Sequence, residues 1–220
     1  MNCIKYPQNL PFLVSNNLYS ISIALYPLAR LCRVSNIFTT FGSAMSEKRK
    51  ANTEYPYFIT FTVVGWIDVF TRHRYCEIIL ESLEFCRKNK QLEVFAFVIT
   101  SNHIHLIARQ QDGKLNEVIR DFKSFTAKKI INEIETNPQE SRKDWLLHLF
   151  KYHAKYSRQN KTYQFWQKTS HPTELYNNEI FDQKVEYIHN NPVKNGCVTN
   201  AESYTFSSAN PESNFKIDEW

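Results

Sequence analysis

Hydrophobic and polar positions alternate regularly only from about residue 55 onward. Residues 57–64 alternate and are rich in β-branched and aromatic side chains, which predicts a β-strand. Residues 75–90 have apolar positions at helical spacing with charges between them, which predicts an amphipathic helix. Residues 92–100 are almost continuously apolar and predict a central strand that is covered on both faces.

The later elements follow from the same two patterns, which are alternation for strands and helical spacing for helices. They are a strand over 103–109, a helix over 115–134, a helix near 143–156, a short aromatic strand over 163–167 and a helix over 178–190 that Pro192 ends. The order β-α-β-β-α-(insert)-β-α predicts the α+β class. In particular, it predicts a ferredoxin-like antiparallel sheet with helices packed on one face.

The first 44 residues differ from the rest, because they contain no Asp or Glu and only three Lys or Arg. We expect this segment to be a disordered arm or a mis-called upstream extension, with an acidic-poor transit peptide as the lesser alternative. Residues 45–220 are then one domain with a basic insert at about 136–164.

Composition narrows the class of protein. The chain has 220 residues, 42% of them hydrophobic, and a net charge of +5, with a mean hydropathy of −0.48. No apolar run approaches the roughly 18 residues that span a bilayer, so a membrane protein is not expected. The five cysteines include no C-x-x-C pair, which argues against a disulfide scaffold and a thiolate zinc site.

A histidine pair carries the first candidate chemistry. His103 and His105 are two apart on a predicted strand, so both imidazoles point to one face. Two such rings can converge on one divalent cation. For the pair alone, two surface histidines on a half-buried strand are an equally good interpretation.

The last predicted helix offers matching groups. Tyr187 and Asn191 are four apart and therefore share a helix face. If this helix packs across the sheet near the histidines, the site combines two imidazoles, an amide oxygen and a phenol. The alternative is that Tyr187 is an ordinary aromatic at the edge of the core, on a stripe with Ile180 and Lys184.

Together these segments resemble a known family. His103-Ile104-His105 resembles the His-hydrophobic-His signature of the HUH single-tyrosine transposases. The run Tyr-Ile-His-Asn-Asn-Pro-Val-Lys-Asn-Gly at 187–196 resembles the catalytic segment of the REP-associated tyrosine transposase branch. Residues 119–127 and 165–171 agree with that branch as well, so that the similarity covers roughly residues 55–210.

The resemblance implies a function and its residues. Tyr187, on the C-terminal helix, is the expected nucleophile that cleaves single-stranded DNA and forms a 5′-phosphotyrosine. His103, His105 and Asn191 are the expected ligands of a divalent metal, Mg²⁺ or Mn²⁺. The implied partner is hairpin single-stranded DNA from repeat elements, the implied location is the bacterial cytoplasm in association with the nucleoid, and the protein is expected to be a monomer or homodimer.

Basic residues on two segments are candidates for DNA binding. Arg120, Lys123 and Lys128 fall roughly on one side of the second helix. The insert adds Lys151, Lys155 and Arg158, interleaved with aromatic residues that can stack on unpaired bases. An equally good interpretation is a solvated amphipathic helix that covers the core.

Two rival functions are also compatible with the sequence. The first is a non-catalytic hairpin-binding module for DNA or RNA, which keeps the basic surface but uses neither metal nor Tyr187. The second is a metal-dependent nuclease without a covalent intermediate. It needs a carboxylate to activate water, and Asp182 and Glu186 are the nearest candidates on the last helix.

Overall fold

The computed structural model describes residues 53–157 and 162–220. The expectations for residues 1–44 and for Arg158 lie outside the described residues. The strands are β1 (Tyr57–Thr62), β2 (Leu92–Ile99), β3 (His103–Gln110) and β4 (Thr173–Glu174). The α-helices are α1 (His73–Lys90), α2 (Leu115–Thr136), α3 (Lys143–Lys155) and α4 (Asn178–Lys194).

The four strands form one sheet in the order β2-β3-β1-β4, and each neighbouring pair is antiparallel. Since β1 and β2 both run antiparallel to β3, they are parallel to each other, and α1 is the crossover between them. This is the predicted ferredoxin-like arrangement, and the α+β class is confirmed. Within the described ranges, no helix is long and apolar enough to cross a membrane.

The sheet is covered on both faces. Ile59 of β1 and Leu106 of β3 belong to the larger core, which is shared with α1 and α2 on the face that the prediction assigned to helices. The alternate positions, such as Ile107, form a second core with Phe181 and Ile188 of α4. Helices α1 and α2 therefore lie on the predicted face, and Leu146 and Phe150 of α3 join the same core, whereas α4 covers the opposite face. The apolar run 94–99 of β2 accounts for this, because it supplies both cores.

One predicted strand and one predicted helix end are wrong. The aromatic segment 163–167 makes only an isolated bridge between Val63 and Trp166, because β1 ends in a 3-10 turn, Val64–Trp66, and offers no further ladder. Pro192 does not end α4. Proline lacks the N–H that would donate to the Ile188 carbonyl oxygen one turn earlier. The helix nevertheless continues beyond it, with Asn195 N–H donating to the Asn191 carbonyl oxygen at 3.1 Å.

A buried carboxylate ties the start of α1 to the loop before α3. Glu140 is buried and accepts hydrogen bonds from Tyr75 Oη at 2.8 Å, Arg72 Nε at 2.7 Å and the backbone N–H of Arg142 at 3.1 Å. Burial alone raises the pKa of a carboxyl. Here the bonds from Tyr75, Arg142 and Arg72 outweigh it and lower the pKa of Glu140 to about 2.

We predict that Glu140→Gln lowers the free energy of unfolding by about 3 kcal/mol at pH 7, because two guanidinium groups lose their buried counter-charge. The folded pKa of about 2 lies below the ordinary value of 4.5. The contribution is therefore complete above about pH 4.5 and fades as the pH falls towards 2. Urea unfolding between pH 7 and pH 3 measures the difference. The exposed Glu81→Gln is the control, with a loss of about 1 kcal/mol or less; equal losses for both variants contradict the prediction.

Candidate active site

The histidine pair lies at the start of β3, on the face that α4 covers. His103 pairs across the sheet with Thr62, and His105 pairs with Thr60. The two rings turn towards each other, and their centroids are 4.7 Å apart, although the strand repeat separates the residues by about 7 Å. The two imidazoles therefore share one face of the sheet and lie close together.

The hydrogen bonds of His103 fix which ring nitrogen carries the proton. Asn102 Nδ2 donates to the Asp68 carboxylate at 2.9 Å, so the amide oxygen of Asn102 faces His103 Nδ1 at 2.8 Å. Thr100 Oγ1 donates to the His103 carbonyl at 2.9 Å and lies 2.9 Å from the same Nδ1. Both neighbours can only accept there, so Nδ1 carries the proton and Nε2 keeps its lone pair.

His105 is held in a more enclosed setting. The residue is 6% exposed, its ring stacks on Phe58 at 5.3 Å, and its Nδ1 is 2.9 Å from Thr60 Oγ1. Burial, with smaller contributions from His103 and Lys184, lowers the pKa of His105 to about 3. Burial also lowers the pKa of His103. Both rings are thus neutral at pH 7, which is the form that binds metal ions.

Tyr187 of α4 completes the cluster. Its ring centroid is 5.2 Å from that of His105 and 5.9 Å from that of Phe58. The residue is 38% exposed, so solvent or a substrate can reach it. Two ammonium groups flank the phenol ring, because Lys184 Nζ and Lys194 Nζ each lie 5.6 Å from its centroid. The structure thus brings three of the four expected catalytic and metal residues into direct contact.

Asn191, the fourth, is buried one helical turn after Tyr187. Its side-chain oxygen accepts a hydrogen bond from Asn195 Nδ2 at 3.0 Å, which orients the amide and leaves a second lone pair. In the described part of the chain, no hydrogen bond joins Asn191 to either imidazole. Its membership of the site rests on the shared helix face.

The donor set fits a divalent cation that is completed by oxygen ligands. Within residues 53–157 and 162–220, no three His, Cys, Asp or Glu side chains cluster in a way that could hold a metal. The two neutral imidazoles, with a free Nε2 on His103, are donors that a divalent cation can use, and water and phosphate oxygens would complete the set. Such a mixed set suits Mn²⁺ and accommodates Mg²⁺.

His189 and the two carboxylates of the rival mechanism lie apart from this cluster. His189 Nε2 is 2.9 Å from Ser208 Oγ, which in turn bonds to the backbone of β2. Asp182 and Glu186 are exposed on α4. Among the described residues, neither forms a hydrogen bond or ion pair with a histidine.

The expected DNA-binding residues differ in how free they are. Lys123 donates to the carbonyl oxygens of Gln167 and Lys168 and to Ser170 Oγ, and burial lowers its pKa to about 8. It therefore anchors the segment after α3. The exposed Arg120 pairs with Asp121. Lys128, Lys151 and Lys155 are exposed as well, and Lys151 Nζ lies 5.5 Å from the centroid of the Tyr163 ring.

Several residues of the site were not predicted. Lys194 reaches Tyr187 from the end of α4, and Trp66 lies edge-on to His103 with centroids 5.8 Å apart. The helical spacing of Lys184 and Lys194 to Tyr187 was a usable signal for the lysines. No sequence pattern announces Trp66 or the Asp68–Asn102 pair, because the contacts join separate loops.

Fold and site define a class: an α+β protein in which a strand-borne histidine pair faces a tyrosine on the C-terminal helix. Among solved structures, the chain is similar to that of a REP-associated tyrosine transposase bound to a REP hairpin. The TM-score is 0.52 at 19% sequence identity, over 74% of this chain and 82% of that chain. This chain therefore has the fold of the REP-associated tyrosine transposases, as its motifs implied. No family model and no curated protein matches the sequence.

We predict that Asn102→Ala weakens Mn²⁺ binding about tenfold, because the His103 ring loses one of the acceptors that hold its proton on Nδ1. Calorimetric titration measures the affinity, and ¹⁵N imidazole shifts of the metal-free protein report the tautomer. The exposed Asn89→Ala on α1 serves as the control, and we expect it to change neither quantity. An unaltered affinity and tautomer in Asn102→Ala argue against this role.

Proposed function

We propose that this protein is a metal-dependent DNA strand transferase that binds hairpin single-stranded DNA and cleaves and rejoins it through a 5′-phosphotyrosine. The observation that carries the proposal is the contact between Tyr187 and the histidine pair. The Tyr187 ring centroid lies 5.2 Å from that of His105, which lies 4.7 Å from that of His103. An ordinary core-edge tyrosine does not require a pair of neutral imidazoles beneath it, one of them buried and the other half-buried.

The chemistry follows from the residues around Tyr187. Its phenol oxygen attacks the phosphorus, the bond to the 3′ oxygen breaks, and the phenol proton is lost while the leaving 3′ oxygen gains one. The strand then carries a 3′-hydroxyl, and the 5′ phosphate is esterified to Tyr187. Attack by a 3′-hydroxyl reverses the step and reseals or transfers the strand.

The ammonium groups of Lys184 and Lys194 stabilise negative charge where it develops. Each lies 5.6 Å from the centroid of the Tyr187 ring, one from each direction along α4. They attract the scissile phosphate and oppose the negative charge that develops on it. His103, His105 and Asn191 would hold the divalent cation, which supplies positive charge to the phosphate when it is bound.

Hairpin binding is supported by the surface next to the site. The structurally similar transposase was solved with a REP hairpin. Here α3 carries the exposed Lys151 and Lys155 and contacts the turn after β1, where a Cβ atom built on Gly65 would lie only 2.7 Å from His153 Nε2. This contact places the basic helix close to the segment that borders His103.

Formation of a covalent adduct is the direct test. We expect an end-labelled hairpin oligonucleotide, taken from repeats beside the gene, to remain attached to the wild-type protein on a denaturing gel when Mn²⁺ or Mg²⁺ is present. Tyr187→Phe removes the nucleophilic oxygen and should abolish the adduct, while EDTA should abolish it in the wild type. Tyr176→Phe, at an exposed tyrosine just before α4, is the matched control that keeps it.

The outcomes separate the rival functions. Strand cleavage without an adduct indicates a metal-dependent nuclease that activates water. Hairpin binding without cleavage, with several hairpins and both metals, indicates a binding module for structured nucleic acid. Either result removes Tyr187 from its proposed role.

The proposed DNA surface has its own prediction. Lys151→Glu combined with Lys155→Glu should weaken hairpin binding about tenfold or more at low salt, because phosphate contacts are lost and repulsion is added. Lys88→Glu with Lys114→Glu changes the net charge equally at two exposed lysines on other elements and should have a much smaller effect. A gel-shift titration measures both. If both pairs weaken hairpin binding equally, the loss is explained by net charge and not by the position of Lys151 and Lys155.

A further inference from the structure

Trp66 is an exposed aromatic residue at the border of the site. It is 59% exposed and follows β1 in the 3-10 turn Val64–Trp66. Its ring is nearly perpendicular to that of His103, with centroids 5.8 Å apart. Ring contacts thus run without a break from Trp66 through His103 and His105 to Tyr187.

The backbone holds this side chain outward at an energetic cost. Trp66 has a φ of 56°, in the left-handed region that bulky residues rarely adopt, and the preceding Gly65 has a φ of 64°. The turn is fixed on several sides. Val63 N–H donates to the Asn102 carbonyl at 2.9 Å, and Val64 N–H donates to the Phe165 carbonyl at 2.8 Å. The exposure of Trp66 is therefore imposed by the fold.

Neighbouring contacts explain why the turn cannot relax inward. The imidazole of His153 on α3 covers Gly65, so closely that a Cβ atom there would lie 2.7 Å from Nε2. The exposed indole of Trp66 lies beside the half-buried imidazole of His103 and adds nothing to the core, although its backbone is strained. Its surface is available to a ligand with a flat apolar face.

We propose that Trp66 is a stacking platform for an unpaired nucleobase of the DNA strand, next to the scissile phosphate. The assignment rests on the proposed function, because it takes the strand at Tyr187 as the source of the base. Nucleobases stack on exposed aromatic rings with little regard to sequence. The edge contact with His103 places the stacked base directly beside the metal-site histidine. It thereby sets which phosphate reaches Tyr187.

The test measures DNA binding without cleavage. The parent protein of the experiment is the Tyr187→Phe variant in EDTA. Fluorescence anisotropy measures its binding to a labelled hairpin that carries single-stranded flanks from the repeats beside the gene. A second set of probes carries one abasic site, moved through the flanks one nucleotide at a time. The added variants are Trp66→Ala, Trp66→Phe and Trp66→Gly, with Phe85→Ala as the control because Phe85 is 56% exposed on α1.

We expect Trp66→Ala to raise the Kd about tenfold, within the range of one lost base stack, while Trp66→Phe keeps most of the affinity. One abasic position should weaken the parent protein by a similar factor and have no further effect on Trp66→Ala. Trp66→Gly should lose affinity without a fall in Tm, since glycine adopts positive φ without steric penalty. Phe85→Ala should bind like the parent.

An unchanged Kd in Trp66→Ala overturns the proposal. The proposal is also overturned if Trp66→Ala raises the Kd by the same factor for every abasic probe, because the indole then contacts no particular base. Failure of the parent protein to bind any probe overturns it together with hairpin binding.

The stacking role of Trp66 and the catalytic role of Tyr187 can be tested separately. If the wild type forms the Tyr187 adduct but Trp66→Ala binds normally, only the stacking platform is wrong. If no adduct forms but one abasic position and Trp66→Ala are coupled, the platform holds and the catalytic role of Tyr187 is wrong.

Discussion

The packing of α4 against the second apolar face of the sheet is the interaction on which the site depends. Phe181 and Ile188 of α4 are buried with Val98 of β2 and Ile107 of β3. The hydrophobic effect thereby fixes the distance and rotation of the helix. Tyr187 precedes Ile188 and is carried to the edge of this contact, where it meets His105. Without that apolar face, the tyrosine and the histidines belong to unrelated surfaces.

The same packing gives the site its electrostatic character. Enclosure between α4 and the sheet removes water from His105 and lowers its pKa to about 3, so the imidazole is neutral and cannot repel a cation. Lys184 Nζ and Lys194 Nζ lie beside the ring of Tyr187. The neutral histidine pair lies on one side of the Tyr187 ring, and the two lysines lie beside that ring. The residues suited to hold a metal are therefore distinct from those suited to attract phosphate.

The turn after β1 connects this centre to the rest of the molecule. It is bonded to the loop before β3 through Asn102, to the segment after α3 through Phe165, and it accepts His153 of α3 against Gly65. Elements that are far apart in sequence therefore converge at the end of β1 closest to His103. The proposed stacking residue and the proposed basic helix are neighbours for this reason.

Local sequence determined most of the secondary structure, the α+β class and the candidate residues. The periodicity of α1, β2, β3 and α2 is strong, and a His-x-His strand or a Tyr-x-x-x-Asn helix face follows from backbone geometry alone. The errors lie where local rules compete with tertiary contacts. Residues 163–167 have strand propensity but meet the end of β1, and Pro192 lies inside the last turn of α4 although it removes a backbone donor there.

Only the tertiary structure decided that α4 covers the face opposite α1 and α2, and that Trp66, Asp68 and Asn102 border the histidines. A helix or strand pattern states which face of an element is apolar. It does not state which of two apolar sheet faces that element will cover. Contacts between loops have no period in sequence, because they depend on where the chain returns after each element. The sequence alone therefore determined the reactive groups, whereas packing determined their surroundings.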